Sequence, residues 1–310
     1  MKKKLDFSKP LIVLAPLAGY TDLPFRSVVK KFGADLTISE MISSNALVYK
    51  SARTLKMIEK SPSEDPYFVQ IAGNSVDLVK AAVEILNDVE GIDGIDLNCG
   101  CPAPKVFSHG SGSNLLGDLK KLEEILSTIK KYSKKEYTSA KVRLGVNEKI
   151  PVEIGKAVEA CGVDFVSVHG RTRAGKYKAP VDYDAIKQMK EAISIPVIAN
   201  GDIKDYKKAK EVLEYTKADG VMIGRGAIGK PWVFYQLKHE LEDIDNSIKK
   251  EIILEHYDKM LEFHGDYGAI IFRKLLHAYS KGYTGANEFR DLVNQISDKN
   301  IMRVLIESFF

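Results

Sequence analysis

Two cysteines one residue apart, Cys99 and Cys101, sit in the run Asp96-Leu-Asn-Cys-Gly-Cys-Pro102 of a chain that has only three cysteines in 310 residues. Gly94–Asn98 reads as a buried strand, so both thiols fall where a strand runs out into a loop. Such a pair can be a reactive centre, half of a metal site, a disulfide, or packing. The spacing is C-x-C rather than C-x-x-C, and no histidine pair stands at i, i+4 nearby, so no cluster has metal-ligand spacing. An odd number of cysteines in a large chain argues against a disulfide framework and for a reducing, cytoplasmic setting.

Other residues able to do chemistry recur at the ends of apolar runs. Lys141 and Arg143 alternate along one run and point to one face; buried and unpaired, such cations are costly. An anionic ligand would explain both, and an internal pair with Glu40 or Asp96 is the alternative. Gln70 lies within another run. His169-Gly-Arg-Thr-Arg173 and Asn200-Gly-Asp202 close two more, with Lys176 and Lys178 following the first. Gly224-Arg-Gly-Ala-Ile-Gly-Lys230 formally matches the dinucleotide fingerprint G-x-G-x-x-G, but no following strand completes a βαβ unit. A phosphate cradle of Gly201, Gly224 and Gly226, with Arg225 supplying charge, accounts for it better. The P-loop, G-x-S-x-G and H-E-x-x-H signatures are absent.

What must position these residues is a set of eight apolar runs: Leu11–Ala15, Leu36–Glu40, Tyr67–Ile71, Gly94–Asn98, Ala140–Leu144, Phe165–Val168, Val197–Asn200 and Gly220–Ile223. Most are apolar on consecutive residues, as strands buried on both faces of a parallel sheet are. Helical segments lie between them: one with Pro24 in its first turn, then Val76–Leu86, Leu119–Ile129, Pro151–Ala160 and Tyr206–Tyr215. Eight strand-helix units in about 240 residues predict a (β/α)₈ TIM barrel, with an open doubly wound sheet as the competitor. In such a barrel the carboxyl ends of the strands carry the site. After Trp232 the strand pattern stops. Ile248–His264, Ile270–Ser280 and Phe289–Glu307 have helical period, which predicts a barrel over residues 1–242 and a small all-helical domain over 243–310.

Hydrophobic content of 45% with 28% charged residues excludes a disordered chain. The longest apolar runs fall well short of the roughly 20 residues of a membrane helix. Met1-Lys-Lys-Lys resembles the start of a signal peptide, but Asp6 and Lys9-Pro10 break the apolar core that should follow. A net charge of +4 permits a nucleic-acid partner without requiring one.

Taken in order, Ala15-Pro-Leu-Ala-Gly-Tyr-Thr-Asp22, Gln70-Ile-Ala-Gly73, Asp96–Pro102, Lys141-Val-Arg-Leu-Gly145, His169–Arg173, Asn200–Asp202, Gly224-Arg-Gly-Ala-Ile-Gly-Lys-Pro-Trp232 and Phe272-Arg-Lys274 resemble the tRNA-dihydrouridine synthases, above all the bacterial B-type enzymes. The resemblance runs over essentially the whole chain. It implies an FMN-binding barrel followed by a helical domain, and reduction of uridine to 5,6-dihydrouridine in the tRNA D-loop with NADPH reducing the flavin. It further implies that Pro16, Leu17 and Ala18 pack against FMN, that Gln70, Lys141 and His169 contact it, and that Asn200, Gly201, Asp202, Gly224 and Arg225 hold its phosphate. Cys101 aligns with the proton donor. Where this chain has Cys99 the family usually has an apolar residue, which makes Cys99 a filler.

The implied chemistry is hydride transfer from the flavin to C6 of uracil and protonation of C5 by Cys101. A free thiol is mostly protonated at neutral pH and can donate. The base must be turned out of its stack to reach the site. Asn98, Arg143, Arg171, Arg173 and Lys176 are the expected contacts to the RNA on the barrel, and Arg273 and Lys274 extend them onto the helical domain. The expected protein is a cytoplasmic monomer without metal. The competing reading of the site is a flavin barrel acting on free pyrimidines, which the basic loop and the helical tail argue against.

Overall fold

The computed structural model describes residues 4–310, so all but Lys4 of the signal-like start lies outside the described residues. Nine strands form among the described residues: β1 (Leu11–Leu14), β2 (Thr37–Ile38), β3 (Ile42–Ser43), β4 (Tyr67–Ala72), β5 (Gly94–Cys99), β6 (Tyr137–Arg143), β7 (Phe165–His169), β8 (Val197–Asn200) and β9 (Gly220–Ile223). All pair in parallel, in the order β1-β9-β8-β7-β6-β5-β4-β2. The ring closes between β1 and the residues leading into β2. Val13 bridges Leu36, and the Leu14 N–H donates to the Leu36 carbonyl at 3.1 Å. This is the eight-stranded barrel that the runs predict, with helices around it.

The ninth strand arises because the second run divides. Ser39 Oγ accepts the Gln70 N–H at 3.0 Å, in the place a strand carbonyl would take. The ladder is interrupted there, and β3 resumes pairing with β4 at Ile42 and Ser43.

Alternation sorts each strand's residues. One set packs outward under the helices. The other fills the barrel, whose floor is Leu11, Val13, Leu36, Ile38, Phe68, Phe165, Ile198 and Met222. Burying each large apolar side chain there contributes roughly 1.5–3 kcal/mol. Toward the carboxyl ends the inward residues turn polar: Gln70, Asp96 and Asn98, Ser139, Lys141 and Arg143, His169, and Asn200. The floor is apolar and the mouth is polar.

The tail forms four helices, Asn246–His264, Gly268–Tyr279, Ala286–Gln295 and Lys299–Phe309. The expected single segment Phe289–Glu307 is thus two helices. The first ends at Gln295, and Asp298 caps the second by accepting the N–H groups of Asn300 and Ile301 at 2.8 and 3.0 Å. The tail's apolar core continues into the barrel: Val28 of the helix Leu23–Lys31, Phe32 at its C-cap, and Trp232 pack with Tyr257, Phe272 and Tyr279. No helix among the described residues is long and apolar enough to cross a membrane.

Candidate active site at the barrel mouth

A cleft of about 1770 Å³ opens at the carboxyl ends of the strands. It is lined by Pro16, Leu17 and Ala18 after β1, Gln70 of β4, Asn98 and Cys101 of β5 and its loop, Lys141 and Arg143 of β6, and His169 of β7. Asn200 at the end of β8, Gly201 and Asp202 after it, and Gly224 and Arg225 after β9 complete the ring. One wall belongs to the tail, through Tyr279, Lys281 and Tyr283.

The two thiols separate cleanly. Cys99 faces outward, fully buried with Leu97 and Val142 in the layer between sheet and helices. Burial pushes its thiol well above the usual range. Cys101 lies in the cleft and is partly exposed. Its backbone is held at both ends: the N–H donates to Asn98 Oδ1 at 2.9 Å, and the carbonyl accepts from Ser113 Oγ at 2.8 Å. The glycine-rich loop wraps it closely. Gly112 has φ +63°, and a Cβ there would stand 3.2 Å from the Cys101 Cβ and 2.8 Å from Val106.

Below Cys101 runs a chain of side-chain hydrogen bonds. Asn98 Nδ2 donates to Gln70 Oε1 at 2.8 Å, and Gln70 Nε2 donates to Asp96 Oδ2 at 2.7 Å. Ser139 Oγ donates to the other Asp96 oxygen at 2.6 Å. Burial raises the Asp96 carboxyl to about 6.

Neither cation of β6 hydrogen-bonds Glu40 or Asp96. Lys141 Nζ donates to Asn200 Oδ1 at 3.1 Å; burial, then the charge of Arg143, lowers it to about 8. Arg143 is 1% exposed and gives its protons to carbonyls: Gly100 at 2.7 Å, Thr172 at 3.1 Å and Lys176 at 3.0 Å. It braces the Cys101 loop against the loop after β7. His169 is held neutral by burial and by the cations around it, Lys141 foremost. Its Nε2 lies 3.3 Å from Arg171 Nη1, which only donates, so Nε2 accepts and Nδ1 carries the proton.

The remaining predicted contacts divide. Arg171 is buried and donates to Asp202 at 3.1 and 2.5 Å. Arg225 donates to the same carboxylate at 2.9 Å, so two guanidiniums bracket one acid, and Arg171 foremost holds Asp202 below its usual range. Arg173 stacks on Phe107, 3.5 Å from the ring centroid. Arg273 donates within the tail, to the Ile296 carbonyl at 2.7 Å and Ser297 Oγ at 3.0 Å. Lys274 reaches from the tail to the Gly19 carbonyl and lies 5.0 Å from the Tyr20 ring. Lys176 and Lys178 are both exposed, and both lie outside the cleft lining. Tyr177 and Tyr279 are among the lining residues that sequence reasoning did not single out. Tyr177 is held between Arg225 at 4.4 Å and Arg143 at 5.3 Å, and Tyr279 is buried under the tail wall. An aromatic in a basic loop was the only sign of the first.

The donor set fits a flavin mononucleotide. Gly201, at φ +139°, and Gly226, where a Cβ would stand 2.2 Å from the Ile203 carbonyl oxygen, keep the backbone low around Arg225. That leaves a shallow basic cradle suited to a phosphate. Lys141 and the Gln70 amide supply donors for a ring edge rich in carbonyl oxygens.

Fold and site together define a (β/α)₈ barrel with an anion cradle, a ring of inward donors and one accessible thiol. Residues 13–308 match the family described as Dihydrouridine synthase (Dus), and the chain belongs to that family. A Helicobacter pylori protein named "Probable tRNA-dihydrouridine synthase" is 54% identical over 99% of this chain and 94% of its own length. A Vibrio parahaemolyticus protein named "tRNA-dihydrouridine synthase B" is 40% identical over 96% and 95% respectively. Among solved structures, a morphinone reductase variant in complex with tetrahydroNAD has a TM-score of 0.56 at 12% identity, over 76% of this chain and 89% of its own. The old yellow enzyme from Trypanosoma cruzi has 0.52 at 11%, over 83% and 94%. These two likenesses are of fold.

Proposed function

We propose that this protein reduces uridine to 5,6-dihydrouridine in the D-loop of tRNA, with FMN as cofactor and NADPH as reductant, working as a cytoplasmic monomer. The observation that carries the reading is Cys101. It is the one thiol of three that lines the cleft, and its backbone is pinned on both sides while its side chain stays accessible. Bound FMN supplies the hydride that uracil receives at C6. Cys101 gives its proton to C5, and the Asn98 amide and the Gly112 loop hold it in place to do so. Lys141 places positive charge where the reduced ring gathers negative charge. Gln70 and His169 would meet the ring edge, and Pro16, Leu17 and Ala18 its face. Asn200, Gly201, Asp202, Gly224 and Arg225 would hold the phosphate.

The RNA track on the barrel rim rests on Lys176 and Lys178, with Lys274 and Lys281 beside the tail wall. Arg143, Arg171, Arg173 and Arg273 serve it by shaping the loops on which it lies. A free pyrimidine would need neither a cleft of this size nor a wall contributed by a second helical unit.

The test uses purified protein, expected to be yellow and to release FMN on denaturation. Cys101→Ala is expected to keep NADPH oxidation and lose dihydrouridine formation on tRNA. A colourless protein that FMN cannot reconstitute, or a fully active Cys101→Ala, overturns the reading.

A further inference from the structure

The chain of bonds from Asp96 to Cys101 has fixed polarity at both ends. At the upper end stand backbone N–H groups of Gly100 and Cys101, which only donate, at 3.2 and 2.9 Å from Asn98 Oδ1. At the lower end stands Asp96, fully buried, accepting from Gln70 at 2.7 Å and from Ser139 at 2.6 Å. Between them neither amide can turn over. If Gln70 flipped, its NH₂ would face the NH₂ of Asn98 and its oxygen would face a carboxylate. Asn98 has then committed both lone pairs of Oδ1 and one N–H. Its remaining capacity is a single Nδ2–H.

We infer that Asp96 is a positioning residue: through Gln70 and Asn98 it holds the Cys101 backbone in register and leaves Asn98 with only a donor for the cleft. This rests on the proposed reduction of uridine, whose pyrimidine carries carbonyl acceptors that a lone N–H donor can meet. A group at Asn98 that presented an acceptor instead would repel those oxygens. The order of residues makes the device compact: Asp96, Asn98 and Gly100 share one inward face of β5 and its extension, and Gln70 is the partner of Asp96 on β4.

The device separates three variants. Asp96→Ala removes the lower anchor and frees Gln70 to rotate. Asp96→Asn keeps it, because its amide oxygen accepts from Gln70 while its NH₂ donates to Ser139 Oγ, which can accept as well as donate. Gln70→Met keeps the volume and removes both links. Single-turnover reoxidation of the reduced holoenzyme by tRNA gives the first readout. A misplaced proton donor is expected to lower the maximal rate in Asp96→Ala by about 10²-fold with the tRNA concentration at half-rate unchanged, and Asp96→Asn to restore most of it.

Alkylation of the apo-protein by iodoacetamide gives the second readout, independent of flavin and RNA. Cys99 and Cys161 are buried, so the fast phase reports Cys101. It is expected to quicken in Asp96→Ala and Gln70→Met, as the loop loses its anchor, and to stay at the wild-type rate in Asp96→Asn. Wild-type alkylation in Gln70→Met, or an Asp96→Asn as impaired as Asp96→Ala, overturns the inference. A wild-type enzyme inactive on tRNA but showing the expected alkylation pattern overturns the proposed reaction and leaves the positioning role standing.

Discussion

Arg171 donates to both oxygens of Asp202, at 3.1 and 2.5 Å, from a side chain that is 3% exposed. A guanidinium so placed has no free face for RNA, although its position in a basic loop invited that reading. Its removal acts on the cradle, where Asp202 would be left to Arg225 alone, beside the expected phosphate. Arg171→Leu is expected to weaken FMN binding at least about tenfold, or 1.4 kcal/mol, in a fluorescence titration. Lys176→Ala and Lys178→Ala are expected to leave FMN affinity alone and each to reduce the salt slope of tRNA binding by about 0.9. An Arg171→Leu protein with normal FMN affinity and a flattened salt slope would return Arg171 to the RNA surface.

Tyr177 makes a second case of a loop residue working inside the site. Its ring stands between the guanidiniums of Arg225 and Arg143, 4.4 and 5.3 Å away, and 6.0 Å from the His169 ring. Each cation–π contact contributes about 0.5–2 kcal/mol, according to how far it is desolvated. The ring therefore caps the cleft beside the phosphate cradle. Tyr177→Ala is expected to speed FMN dissociation in stopped-flow fluorescence, and Tyr177→Phe to keep the wild-type rate, because the ring face carries the contact. Equal loss in both variants would assign the effect to the hydroxyl instead.

The barrel was legible because its signals are local. Runs such as Val197–Asn200 and Gly220–Ile223 are bounded by glycine and apolar on both faces, and their observed ends match the reading. The second run failed at Ser39, whose side chain takes a ladder hydrogen bond that no propensity encodes. The break at Asp298 could have been read from its capping residue type, but the apolar period of the tail runs straight through it. At the site, the strand-end rule found the residues of the cleft and could not find their partners. Whether an arginine faces solvent, a carboxylate or a phenylalanine depends on contacts between distant segments, as Arg173 on Phe107 illustrates. The buried pair of Arg26 and Glu64, at 2.8 Å, had no sequence signal for the same reason.

Cys99 tests the asymmetry of the thiols. It is fully buried between β5 and the surrounding helices, outside the cleft. Cys99→Ala deletes one heavy atom from a packed layer, so a loss of about 1 kcal/mol or somewhat more in stability is expected, with activity on tRNA retained. Chemical denaturation together with a dihydrouridine assay checks both halves. An active-site role for Cys99 would show as lost activity at unchanged midpoint.

Asp96 carries the clearest pH dependence. Its carboxyl is raised from 3.8 to about 6, burial being the largest cause and the bonds from Gln70 and Ser139 and the charge of Lys141 opposing it. A raised carboxyl favours folding fully below the unfolded value of 3.8, and that advantage is lost as pH rises through about 6. At pH 7 to 8 the folded apo-protein therefore bears the cost of a buried charge, on the order of 3 kcal/mol. Asp96→Asn keeps the shape without the charge. It is expected to be the more stable protein at pH 7.5, with the difference shrinking as pH falls toward 4 and vanishing below it. Urea denaturation of both proteins across that range measures the gap. A constant difference at all pH values would mean that Asp96 titrates normally and that the mouth of the barrel is wetter than its hydrogen bonds imply.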